Sequence, residues 1–93
     1  MLVISRQIGQ SVMVEDAVVI SLEAVENGKV VLGITDANGH RTRRLGLACL
    51  SVCPEVTLHV LRIGVNEVRL GFMAPRSIDI FRKEADRRQL ARA

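Results

Sequence analysis

Apolar side chains recur at every second position through most of this chain, the period of strands with one buried face. Leu2 and Ile4 open the pattern, and a turn at Gly9-Gln10 leads to Val12-Met13-Val14. Glu15-Asp16 forms a second turn, after which Val18, Ile20 and Leu22 alternate and run on to Val25. Asn27-Gly28 is a strong hairpin signal, because both central residues of a type I′ turn need positive φ. The returning strand is Lys29 to Ile34, followed by polar, turn-like Thr35 to Gly39 and the basic run His40-Arg41-Thr42-Arg43-Arg44. Leu45 to Val52 reads as one strand ended by Pro54. Val56, Leu58 and Val60 alternate to Ile63, Gly64-Val65-Asn66 turns, and Val68, Leu70 and Phe72 return. Pro75 stops that strand, and Ile78 and Ile80 mark a further one from Arg76 to Arg82. The tail from Lys83 has helix formers and neither Gly nor Pro, so it reads as a short solvated helix.

The pattern repeats. Residues 17–37 superimpose without gaps on 55–75, so that Val18, Ile20, Leu22, Val25, Val30, Leu32 and Ile34 fall on Val56, Leu58, Val60, Ile63, Val68, Leu70 and Phe72. Gly33 falls on Gly71. Alternating strands resemble one another by default, but the equal hairpin lengths and the shared glycine argue for a duplication. The fold class is therefore all-β with a short C-terminal helix, a β-sandwich or barrel of two related hairpin meanders, 8–35 and 45–73.

Composition narrows this further. Val, Ile and Leu supply 30 of 93 residues, while the only aromatics are Phe72 and Phe81. Such a core is thin and dense, better suited to packed sheets than to an internal ligand cavity. No apolar run approaches the roughly 18–20 residues that span a membrane, and no basic segment precedes an apolar stretch at the N-terminus. A cytoplasmic protein without membrane contact is expected. Cys49 and Cys53 could join His40 and His59 in a metal site, but they match no zinc spacing, and free thiols in a reducing compartment are the plainer reading. No metal and no cofactor are expected. The net charge of +3 is uneven: residues 1–36 sum to −3 and residues 37–93 to +6. A basic half suggests a polyanionic partner. No histidine stands at a suggestive spacing from a nucleophile or carboxylate, and no glycine loop cradles a phosphate, so an enzyme is not expected.

Residues 1–14, Met1-Leu2-Val3-Ile4-Ser5-Arg6-Gln7-Ile8-Gly9-Gln10-Ser11-Val12-Met13-Val14, resemble the opening of the CsrA/RsmA carbon storage regulators, small bacterial RNA-binding proteins that control translation. Glu55-Val56-Thr57, then Asn66 through Gly71-Phe72-Met73-Ala74-Pro75-Arg76, and Arg82-Lys83-Glu84 resemble the rest of that family's chain. Residues 17–54 are an addition. The resemblance thus implies two fused, partly degenerate units, 1–37 and 42–93, the second opening on a decayed first strand at Thr42–Gly46. Members of that family are intertwined dimers, in which strand one of one chain lies beside strand five of the other and the two form an RNA-binding edge. A fused chain would complete one such edge by itself. The other would have to come from residues 36–46, too few for two strands, and should be damaged or absent. A monomeric pseudo-dimer is the expectation, with a homodimer as the alternative.

The resemblance places Ile4 and Arg6 on one strand of the edge and Arg76, Ile78, Ile80 and Arg82 on the other. Arginine offers forked donors suited to phosphates and guanine edges, Ile4 would be an apolar platform, and the backbone along 76–82 would read the GGA bases. Against this, Arg6 and Arg82 are also what an ordinary sheet edge uses to resist aggregation. Arg41, Arg43 and Arg44 could supply secondary phosphate contacts. Gln7 and Lys83 depart from the family pattern. Two functions are carried forward. One is an RNA-binding regulator that recognises GGA loops in mRNA leaders or small RNAs and occludes translation. The other is a diverged interaction module that pairs with an ordinary family member or a protein antagonist and binds RNA weakly.

Overall fold

The computed structural model describes residues 1–83, which form β1 (Leu2–Gln7), β2 (Ser11–Val14), β3 (Val18–Glu26), β4 (Lys29–Asp36), β5 (Gly39–Leu45), β6 (Cys49–Cys53), β7 (Val56–Ile63), β8 (Glu67–Met73) and β9 (Ile80–Lys83). All pairings are antiparallel. One sheet has the order β1-β8-β7-β6 and the other β5-β4-β3-β2-β9. The expected all-β sandwich of two hairpin meanders is what forms, while the helix expected from Lys83 onward lies outside the described residues except for Lys83 itself, which ends β9.

Alternation explains the core. Val12, Val14, Val18, Ile20, Leu22, Val30, Leu32 and Ile34 project from one sheet. Val52, Val56, Leu58, Val60, Val68, Leu70 and Phe72 project from the other, and all belong to one buried cluster. Burying these branched side chains is the main stabilising term, since each contributes about 1.5–3 kcal/mol relative to exposure. The Asn27-Gly28 hairpin forms as expected, with φ of 52° and 75°.

The two meanders are interlocked. β1 leaves the first meander to pair with β8 of the second, with Ile4 opposite Leu70 and Arg6 opposite Val68. β9 leaves the second meander to pair with β2 of the first, with Val12 opposite Arg82 and Val14 opposite Ile80. Each half therefore closes an edge of the other, as intertwining within one chain requires.

Three expectations need correction. The apolar stretch 45–52 is not one strand. It breaks at Gly46–Ala48, where the chain crosses from the edge of one sheet to the edge of the other. The decayed first strand expected at Thr42–Gly46 does form, but as the longer β5, which begins at Gly39, ends at Leu45 and folds back on β4 through a turn at 37–38, with Gly39 at φ 118°. The strand expected from Arg76 to Arg82 begins only at Ile80, because Pro75 starts a turn in which the Ile78 amide donates to the Pro75 carbonyl (3.0 Å).

Candidate nucleic-acid interface

The interlocking leaves the sandwich with two seams, each where an edge of one sheet lies over an edge of the other. β1 and β9 bound the first seam, β5 and β6 the second. Opposed residues in an antiparallel pair share a face, so Arg6 lies on the inner face with Val68, and Arg82 on the inner face with Val12. Burial separates the two arginines. Arg82 is exposed, whereas Arg6 is only 5% exposed.

Arg6 is thus not the exposed edge cation expected from the sequence. Its Nε donates to the Ser5 carbonyl (2.9 Å) and its Nη1 to the Ser11 carbonyl (3.0 Å), which ties β1 to β2 across the seam. Ile4, expected as an apolar platform, is 3% exposed and sits in the core opposite Leu70. The reason for both was present in the sequence. Leu2, Ile4 and Arg6 stand at alternate positions of one strand, so a face that buries Ile4 also turns Arg6 inward.

The other four expected residues do gather at the first seam. Arg76, Ile78 and Ile80 line an open groove of about 320 Å³ together with Met1, Leu2 and Phe72. Arg82 follows on β9. The turn feeding β9 is pinned by Glu15: its backbone amide donates to the Asp79 carbonyl (2.6 Å), and its carboxylate accepts from the Asp79 amide (2.7 Å). Sequence reading had missed Glu15, which is held at φ 56° in its turn and whose acid at a tight corner was the only available signal.

Hydrogen-bond parity adds a feature that side chains do not show. The Leu22 amide donates to the Gln10 carbonyl (2.9 Å), so residues 10 and 12 of this strand face β3. Ser11 and Met13 therefore turn their backbone groups to Lys83 and Phe81 of β9. The backbone amides and carbonyls of Ile80 and Arg82 then face away from β2, along an edge on which no described strand pairs. Exposed guanidinium groups and an open row of peptide groups share one edge beside a groove.

The second seam has different chemistry. Matching β4 to β8 places Arg43 where Ile4 stands and Leu45 where Arg6 stands, so the apolar and basic positions are exchanged. Arg41 Nη1 lies 3.0 Å from Asp36 Oδ2, and Arg44 Nη2 lies 3.2 Å from Glu26 Oε1. His40 Nε2 lies 3.7 Å from Glu23 Oε2, and its Nδ1 is 2.8 Å from Thr35 Oγ1. Acids of the first meander thus partly neutralise the basic run, and Arg43 has no ion pair among the described residues. Among the described residues no strand completes this seam, because β5 pairs with β4 and leaves the outer edge of β6 uncovered.

Asp36 reports on this neutralisation. The Arg41 guanidinium, and after it the Asn38 amide, hold its carboxyl below the ordinary value of 3.8. A depressed carboxylate stabilises the fold above its unfolded pKa and loses that contribution as pH falls through the folded one. Carboxyl NMR of Arg41→Ala should show the Asp36 titration moving upward toward the ordinary value. An unmoved titration would mean that Arg41 is not its partner in solution.

Among the described residues no helix is long and apolar enough to cross a membrane, and no group of three or more His, Cys, Asp or Glu residues could hold a metal. Compared with known proteins, residues 1–41 and 49–89 match the model of the CsrA global regulator protein family. No curated protein and no solved structure matches the chain.

Proposed function

The chain belongs to the CsrA family of global regulators, an RNA-binding regulatory family, and from that premise we propose that it recognises GGA motifs in mRNA leaders or small RNAs through its β1/β9 seam and controls translation by occlusion. One observation carries the proposal. Only this seam combines exposed Arg76 and Arg82, an adjoining groove and the outward-facing backbone of Ile80 and Arg82.

Each part has a distinct task. Arg76 and Arg82 neutralise phosphate or meet base edges with forked donors. The edge peptide groups of β9 read hydrogen-bonding edges of unpaired bases, which loops present and duplexes hide. Ile78 and Ile80 supply an apolar floor. Arg6 and Glu15 contact no RNA in this scheme: Arg6 holds β2 against β1, and Glu15 holds the turn before β9. With Phe72 buried and Phe81 the only other aromatic ring, stacking on aromatic side chains does not dominate. The protein would block translation by covering the loop that the ribosome must reach.

The measurement is affinity for a GGA-loop hairpin against a scrambled loop, at two salt concentrations. Log affinity should fall linearly with log salt, by about 0.7 per phosphate contact. Titration well above the dissociation constant should saturate at one RNA per chain, because one seam is complete. Equal affinity for both loops with a flat salt response would sink this reading and favour the protein-interaction module, to which the loss of one seam lends support. Saturation at two RNAs per chain would show the second seam to be active.

A further inference from the structure

Among the described residues the sandwich has four strand edges, and two carry exposed arginines: Arg82 on β9, and Arg43 and Arg44 on β5. Charges on an edge strand oppose pairing with other chains. The one charged residue of β1, Arg6, is buried, and β6 has none. Its sequence, Cys49-Leu50-Ser51-Val52-Cys53, has neither a charge nor a proline. Its backbone is also correctly presented. The Val60 amide donates to the Ala48 carbonyl (2.9 Å), and Leu50 lies opposite Leu58, so residues 48 and 50 face β7. Alternation then turns the peptide groups of Cys49 and Ser51 outward. Their counterparts in the first meander, Ser11 and Met13, are the groups that β9 covers. The same binding edge thus exists twice, and among the described residues it is filled once.

We infer that β6 is a self-association edge on which a second copy of this chain pairs strand to strand. Two-fold antiparallel pairing with Cys49 opposite Ser51 of the second copy satisfies all the outward groups of both residues reciprocally. It also brings the two half-buried Leu50 side chains together on the inner face. The choice of a second copy rests on this self-complementarity and on the absence of any charged residue within β6 itself. Pro54 limits the overlap to the five residues of β6, so the dimer is weak. The RNA seam lies at the opposite side of both sheets, and one RNA per chain holds in monomer and dimer alike.

Sedimentation equilibrium of the full chain tests the inference. The parent should pass from monomer to dimer as concentration rises. Ser51→Pro removes an outward amide without touching the β6–β7 bonds and should weaken association roughly tenfold or more, with the unfolding midpoint nearly unchanged. Ser51→Lys, which adds a like charge to each copy, should do the same should the proline variant fold poorly. A parent that stays monomeric to about 1 mM overturns the inference, whether β6 is covered by the chain's own remainder or by nothing. A dimer that both folded variants retain undiminished overturns it too, since another surface would then be responsible.

Discussion

Arg6→Ala is expected to lower the unfolding midpoint by roughly 10–25 °C, a loss of about 2–4 kcal/mol in a domain of this size. The side chain is buried, and its guanidinium satisfies the carbonyls of Ser5 and Ser11. Truncation removes the packed stem and deprives both carbonyls of their arginine donor, and a polar group left unsatisfied in the interior costs about 1–3 kcal/mol. Ser11 also presents its backbone to Lys83, so the damage should spread to β9. Amide exchange at Phe81 and Lys83 should therefore quicken more than at Val31 or Leu32, which lie on the far side of the same sheet. Arg6→Lys keeps the charge and the stem but not the fork, and should recover only part of the stability. A midpoint within a few degrees of the parent for Arg6→Ala would show that the side chain is a surface cation after all.

Much of this fold could be read from alternation alone. Val18, Ile20 and Leu22, with their counterparts Val56, Leu58 and Val60, are buried where the period of two places them, and the Asn27-Gly28 turn has the positive φ values its residues favour. What alternation could not show was pairing. Residues 39–45 could have served as strand one of the second unit, pairing with β4, or as strand five of the first, pairing with β6. The short turn at 37–38 decides between them, because a tight hairpin returns the chain beside the strand it has just left. That local choice is what leaves the outer edge of β6 uncovered among the described residues. Burial of a charge was also hard to read. Arginine on a strand is ordinarily an exposed edge residue, and only strict use of the period would have turned Arg6 inward with Ile4.

The candidate interface was legible to a similar extent. Arg76, Ile78, Ile80 and Arg82 meet at one seam because β9 crosses to the other meander, a consequence of the interlocking that the family resemblance implied. The outward backbone of Ile80 and Arg82 was hidden, since hydrogen-bond parity depends on register and no residue type encodes it. The same holds at the second seam. Arg41, Arg43 and Arg44 look like one basic cluster in the sequence, but strand geometry sends Arg44 to the outer face beside Glu26 and Arg41 to Asp36. A run of charge in one dimension becomes several separate ion pairs in three.

This division predicts which arginines matter to RNA. Arg76→Ala combined with Arg82→Ala should weaken binding of a GGA hairpin roughly 100-fold or more, since each lost charged hydrogen bond costs about 1.5–3 kcal/mol. The fold should persist, because both side chains are exposed and neither has an ion pair among the described residues. The slope of log affinity against log salt should become shallower by about 1.4 if both contacts are to phosphate. An unchanged slope with the same loss of affinity would instead assign the two arginines to base edges. Arg43→Ala provides the contrast. It removes a positive charge from the incomplete seam, so binding should change by no more than about twofold, the effect of a distant charge on a polyanion. Were Arg43→Ala to match the double variant, the RNA would be bound at β5 and β6, and the assignment of function to the β1/β9 seam would fail.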